Sequence, residues 1–165
     1  TRSTTVTGVQ TCALPIFQDL LFEELGLYRA LRTMVSRALE AIVLDEDMEA
    51  LLNILEEKQA PISQIQLLLD SWNDVLSEAG IQEARGRDGV WEQLRAALPE
   101  DCVSEFDRLL QETREAAEEL VQAEARAQEE LEKHLAGLRE KMASMTRGRE
   151  AFIGYTKMGG NTFAP

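Results

Sequence analysis

Apolar residues recur at intervals of three or four along most of the chain, and this periodicity restricts the fold more than any other feature. It runs in three stretches: from Phe17 to about Leu44, from Met48 to about Leu76, and from Pro99 to about Tyr155. Aromatic residues make up only 5% of the sequence, and Ala, Glu, Leu, Arg and Gln dominate, as in long helices. The sequence therefore predicts an all-α protein. We expect an elongated antiparallel helical bundle or coiled coil of three long helices, with a long C-terminal helix.

Short signals separate the predicted helices. The acidic stretch Asp45–Asp47 either begins a second helix, at whose positive end acidic residues are favourable, or lies within one continuous helix. Pro61 falls inside the second run, where we expect a kink because proline removes one backbone hydrogen bond. Gly80 suits the end of that helix, and residues 83–89 have the composition of a loop. We expect a short helix over Val90–Leu98.

The three helices differ in length. The first has about 28 residues, or ~42 Å, and the third about 55, or ~80 Å. In an up-down-up arrangement the third helix should overhang the end at which the first two join. The overhang would comprise roughly the last 25 residues of this helix, unless it bends at Gly137 or Gly148.

The first sixteen residues differ from everything that follows. Thr1 to Ile16 contain no Asp or Glu, whereas the rest of the chain holds all 30. The stretch VTGVQTCALPI, Val6 to Ile16, is the translation of a common short-read sequencing adaptor. We interpret residues 1–16 as an adaptor-derived artefact, with the natural start lost upstream of Phe17. Residues 17–155 then form the helical domain, and residues 156–165 a flexible tail.

The charge of the chain excludes several classes of function. The formal net charge is −13, and −14 without Arg2, so the surface repels nucleic-acid phosphates and anionic lipids. No apolar run approaches the ~20 residues of a membrane span, so we expect no membrane insertion. Cys102 is the one cysteine outside the first sixteen residues, which fits a reducing cytoplasm.

Residues capable of catalysis or metal binding are few. His134 is the only histidine and lies four residues after Glu130, yet position 131 is Leu, so the Glu-x-x-His pair of di-iron proteins is absent. Cys102 has acidic neighbours, which disfavour a reactive thiolate. The sequence lacks a glycine-rich phosphate loop and a nucleophile elbow. We therefore expect no enzyme activity, no cofactor and no metal site.

Apolar residues on the predicted overhang remain unexplained by these considerations. Periodicity alone slightly favours an interpretation in which the long helix folds back and buries them as core. In the alternative they form a stripe for a partner helix, to which flexible methionines adapt well. The candidate partner-binding residues are Leu131, Leu135, Leu138, Met142, Met145, Phe152 and Tyr155.

Two segments resemble the FlgN-type flagellar export chaperones. In Val43–Ile65 an acidic turn precedes a leucine-rich stretch that ends in Glu-Lys. Leu138–Tyr155 carries a leucine-containing helix, then Gly-Arg, an apolar pair and Tyr. The resemblance implies a cytoplasmic, all-helical chaperone of type III export. Such a protein binds C-terminal helical segments of hook–filament junction proteins and prevents their premature assembly. It then delivers them to the flagellar export gate or ATPase complex.

The resemblance places the cargo and gate surface on the C-terminal half of the third helix, including Phe152 and Tyr155. Pro61 and the segment around Trp91 depart from the family pattern. These departures leave open a FliT-like filament-cap chaperone or another helical adaptor. A structural coiled-coil protein that uses its apolar seam only for self-association is the alternative from a different class.

Overall fold

The computed structural model describes residues 10–44, 47–81 and 89–159, with side chains for 16–44, 47–81 and 89–157. These ranges contain no strand, so the predicted all-α class is confirmed. They form five helices: α1 (Gln10–Val43), α2 (Met48–Glu57), α3 (Gln59–Glu78), α4 (Val90–Ala97) and α5 (Glu100–Gly159).

Helix α1 is central and contacts α2, α3 and α5. Two ion pairs show that α1 and α5 run parallel: Arg29 contacts Glu112 at 3.2 Å, and Arg32 contacts Glu119 at 2.6 Å. Helix α3 runs the other way, because Trp72 in its second half stacks on the buried Phe17 in the first half of α1. The topology is therefore up-down-up, with α2 and α3 together forming the descending arm.

The larger core cluster lies where α1 and α5 begin and α3 ends. Phe17, Trp72, Trp91 and Phe106 form a chain of ring contacts with centroids 5.8, 5.6 and 6.3 Å apart. Helix α4 contributes fully buried Val90 and Leu94 to this cluster. Because each fully buried large apolar side chain contributes about 1.5–3 kcal/mol, this end of the bundle holds much of the folding free energy.

A second, smaller core cluster lies at the opposite end, where α1 meets α2. It is built from Ala38, Ala41 and Ile42 of α1 and from Leu51 and Ile54 of α2. Leu131 of α5 packs against it and is partly buried. The bundle core thus ends near Leu131, although α5 continues for another 28 residues.

Two helix ends follow the sequence signals closely. Asp47 caps α2, its carboxylate accepting a hydrogen bond of 2.9 Å from the Ala50 backbone N–H. Gly80 follows α3 with φ of +78°, a conformation that favours glycine. Its N–H bonds to the Ser77 carbonyl, and the next N–H, from Ile81, bonds to the Leu76 carbonyl. This is a Schellman ending, and the buried Ile81 side chain anchors it in the larger cluster.

The second predicted helix is interrupted at Lys58, which separates α2 from α3. Pro61 lies in the first turn of α3 and has no N–H to donate to the Glu57 carbonyl, four residues earlier. The flanking bonds persist, from Lys58 N–H to the Ile54 carbonyl and from Ile62 N–H to the Lys58 carbonyl. Lys58 keeps right-handed helical backbone angles, so the interruption is local.

Two predicted boundaries differ from the structure. Helix α1 begins at Gln10, seven residues before Phe17 and inside the segment interpreted as adaptor-derived. Helix α5 continues to Gly159, four residues into the predicted flexible tail. Residues 1–9 and 160–165, and most of the predicted loop at 83–89, lie outside the described residues.

Candidate functional site

The C-terminal part of α5 extends beyond the bundle. Every side chain from Leu138 to Lys157 is exposed, and Gly137 and Gly148 do not interrupt the helix. The overhang predicted from the helix lengths is therefore present. Its base lies beside the turn between α1 and α2, because Leu131 packs on the cluster formed there. The interpretation in which the long helix folds back to bury these residues is wrong for the described chain.

Six of the seven predicted partner-binding residues share one face of α5, which we call the overhang seam. Leu131 is partly buried at its base, and the exposed fraction rises from 38% at Leu138 to 74% at Met145. Tyr155 is 81% exposed and lies at the edge of this face, since each residue advances the helix by about 100°. The overhang seam consists of Leu131, Leu135, Leu138, Met142, Met145 and Phe152.

The overhang seam continues a face that is buried within the bundle. Phe106, Leu109, Thr113 and Ala116 lie on this face at the same helical spacing, and all four are buried. In the bundle, α1 and its neighbours cover the face. Beyond Leu131 the same pattern of residues continues but is increasingly exposed, and every side chain from Leu138 to Lys157 is exposed.

A groove adjoins the base of the overhang seam. It is a cleft of about 540 Å³ with α1 as its floor and α2 and α5 as its walls. Leu131 belongs both to this groove and to the overhang seam. Inside the groove the Lys58 ammonium donates a hydrogen bond to the Glu124 carboxylate. Apolar residues that line the groove include Val35, Ala38, Ile42, Leu51, Leu55, Leu120 and Val121.

A set of exposed apolar residues on α2 and α3 was not predicted from the sequence. Four residues of the second periodic run are exposed: Leu52, Leu55, Ile62 and Leu69. On α5, Val121 is exposed as well, beside the groove wall that contains Leu55. The second run carries more apolar positions than one buried face of a helix can accommodate. This excess in the sequence indicates that some of these apolar residues are exposed.

Charged side chains near the base of the overhang form local pairs. Lys133 contacts Glu129 at 2.9 Å and Glu130 at 2.7 Å. The hydrogen bond from Lys133, and then its charge, lower the pKa of Glu129. The same contacts, led by the bond to Glu130, raise the pKa of Lys133. These are exposed helix-surface pairs, which stabilise the local helix rather than create a reactive group.

The described residues provide no constellation suited to metal binding. They contain no group of three or more His, Cys, Asp or Glu side chains placed to hold an ion. His134 is partly buried on α5, and Cys102 is a free, partly buried thiol in the first turn of α5. A search of the described helices also finds none that is long and apolar enough to cross a membrane.

Comparison with known proteins gives one match. No curated protein and no solved structure matches the chain significantly. The FlgN family, described as FlgN protein, matches residues 14–162, which include all of α2 to α5, the groove and the whole overhang seam. This match agrees with the resemblance seen in Val43–Ile65 and Leu138–Tyr155, and the family is one of chaperones rather than enzymes. The chain belongs to the FlgN family of flagellar export chaperones.

Proposed function

We propose that this protein is a cytoplasmic chaperone that binds the C-terminal helical segments of flagellar hook–filament junction proteins. It prevents their premature assembly and delivers them to the type III export gate or ATPase complex. The observation that carries the proposal is the exposed overhang seam, and the surface comprises Leu131, Leu135, Leu138, Met142, Met145, Phe152 and Tyr155.

The overhang seam has the features of a docking site for a helix. A single helix with an apolar stripe buries that stripe only when another element packs on it. From Leu131 to Phe152 the seam is about 33 Å long, enough for six turns of a partner helix. Two of its residues are methionines, whose flexible side chains adapt to different partner surfaces. An amphipathic helix laid along the seam would cover it.

Two alternatives compete with this proposal. A FliT-like filament-cap chaperone would use a similar helix with a different cargo, and the FlgN match favours junction proteins instead. A structural coiled-coil protein would use the overhang seam for self-association. The two uses differ in what covers the seam, so cargo binding and oligomeric state separate them.

The test combines Leu138→Ala with Met145→Ala in the full chain. Both side chains are exposed, so the loss of folding stability is expected to stay near ~0.5 kcal/mol per site. Calorimetric binding of a junction-protein C-terminal peptide is expected to weaken at least ~30-fold, because two seam contacts of about 1 kcal/mol or more are removed. The matched control is Phe22→Ala with Leu67→Ala, two exposed apolar residues away from the seam, which should bind normally.

Tyr155→Ala separates cargo binding from delivery. It is highly exposed, so stability should remain close to that of the unmodified chain. Because it lies at the edge of the overhang seam, peptide affinity should fall far less than in the Leu138→Ala/Met145→Ala variant. Export of junction proteins in a complemented deletion strain is expected to fall. A Leu138→Ala/Met145→Ala variant that unfolds readily yet still binds cargo contradicts the proposal. The proposal is also contradicted if the unmodified chain forms dimers in the absence of cargo and the Leu138→Ala/Met145→Ala variant does not.

A further inference from the structure

The overhang seam follows a strict heptad spacing. Positions 131, 135, 138, 142, 145, 149 and 152 are separated alternately by four and three residues. This 3.5-residue period is that of a helix pairing with another helix in a left-handed coiled coil. Six of the seven positions are apolar, and the exception is Arg149. A charged residue at a seam position is unfavourable unless the partner offers an opposite charge.

The charge of the overhang is opposite to that of the whole chain. Residues 138–157 carry five basic and two acidic side chains, a net charge of +3, whereas the whole chain carries −13. Two of the basic residues flank the seam: Arg139 follows Leu138, and Lys141 precedes Met142. Arg139 occupies the e position and Lys141 the g position of the heptad. In coiled coils the charges at these positions determine which partner helix binds. Nearer the bundle, the corresponding flank position is occupied by Glu132.

These basic groups lack carboxylate partners within the described chain. The ion pairs among the described residues involve bundle cations such as Arg29, Arg32 and Arg37, and none involves Arg139, Lys141 or Arg149. All three are exposed and available to a partner. A guanidinium binds a carboxylate through two parallel hydrogen bonds, so Arg149 can fix the register of a partner helix as well as its charge.

We infer that the overhang seam takes an acidic amphipathic helix of another protein, with a carboxylate opposite Arg149 and acidic residues beside Arg139 and Lys141. This inference rests on the proposed function and specifies the chemistry of the cargo segment. A second copy of the overhang is a poor occupant. Its seam carries the same Arg149 and no acidic residue, so pairing two overhangs leaves both guanidinium groups without a carboxylate in the seam.

The test uses the full chain and two designed peptides of roughly four heptads. Both peptides carry the same leucine seam. The Glu peptide has Glu at the flank positions and at one central seam position, and the Lys peptide has Lys at these same positions. At low salt the Glu peptide is expected to bind at least roughly tenfold more tightly, and this preference should shrink as salt screens the charges. In the triple variant Arg139→Glu, Lys141→Glu and Arg149→Glu the preference is expected to reverse. Circular dichroism checks that this variant keeps the helix content of the unmodified chain.

The outcomes separate this inference from the proposed function. If both peptides bind equally well, and neither binds the Leu138→Ala/Met145→Ala variant, the inferred preference for acidic helices is wrong. The overhang seam then remains a docking surface, as the proposed function requires. Failure of both peptides to bind, together with failure of junction-protein peptides, overturns both. Sedimentation that shows dimers of the unmodified chain, dissociated by Leu138→Ala/Met145→Ala, identifies a second copy as the occupant and overturns the inference. Seam-dependent binding to anionic vesicles in preference to the Glu peptide also overturns it.

Discussion

The ion pair between Lys58 and Glu124 predicts an unequal response to the loss of either partner. The Lys58 side chain is 11% exposed and lies in the groove, at the interruption between α2 and α3. The Glu124 side chain is 46% exposed and lies on the α5 wall. If Glu124 is replaced, an ammonium group stays among apolar side chains. If Lys58 is replaced, the remaining carboxylate is already half in water.

The two exposures set the magnitudes. Removing one partner of a fully buried ion pair costs about 3–5 kcal/mol. Because water reaches the Glu124 side of this pair, we expect Glu124→Leu to cost about 2–3 kcal/mol. Lys58→Met keeps the apolar stem and leaves a solvated carboxylate, so its expected cost is about 1 kcal/mol or less. The double variant replaces the pair with apolar side chains of similar volume and should lie within ~1 kcal/mol of the unmodified chain.

Urea and thermal unfolding of the four proteins in a double-mutant cycle measure these differences. Each kcal/mol corresponds to roughly 2–4 °C in a chain of this size, so Glu124→Leu should lower Tm by about 4–12 °C and the double variant should recover most of this loss. Equal and additive losses in the two single variants would refute the reasoning. A Glu124→Leu variant as stable as the unmodified chain would show that the Lys58 ammonium reaches water without its partner.

Three further variants test the helix backbone and the surface charge. Gly26 lies exposed inside α1 with open space around its Cα, so Gly26→Ala should raise stability by about 0.5–1 kcal/mol in urea unfolding. Gly80→Ala, at φ +78°, should instead lower it by about 1 kcal/mol. The hydrogen bond and charge of Arg108 hold the pKa of Glu105 below its ordinary value, so Arg108→Gln should raise that pKa in a carboxyl-carbon NMR titration. Since the folded-state pKa is lowered, the stabilisation by this pair exists above about pH 4.5 and disappears as pH falls through the lowered pKa.

Features that depend on neighbouring residues in the chain were predictable from the sequence. The start of α2 follows from Asp47, whose side chain satisfies an N–H that the helix leaves open. The end of α3 follows from Gly80, because few other residues adopt its positive φ. Six of the seven candidate site residues follow from helical spacing, and Tyr155 lies at the edge of their face. All seven except the partly buried Leu131 are exposed.

Features that depend on distant contacts were not predictable in the same way. Leu55, Ile62 and Leu69 keep the helical spacing of the second run and yet are exposed, because periodicity does not reveal how far a neighbouring helix lies from them. The nearly buried Lys58 is paired with Glu124, 66 residues away in the chain. A long-range pair of this kind leaves no local pattern in the sequence.

The exposure of the overhang seam follows from the lengths and alignment of two parallel helices. Arg32 of α1 lies beside Glu119 of α5, and α1 ends eleven residues later, at Val43. Eleven residues beyond Glu119 is position 130, so α1 stops level with the base of the seam. Helix α5 continues to Gly159, and α2 turns back into the bundle, so neither α1 nor α2 extends alongside the last heptads. Helix lengths therefore determine that the seam is uncovered, whereas its spacing and basic charge determine which kind of helix can cover it.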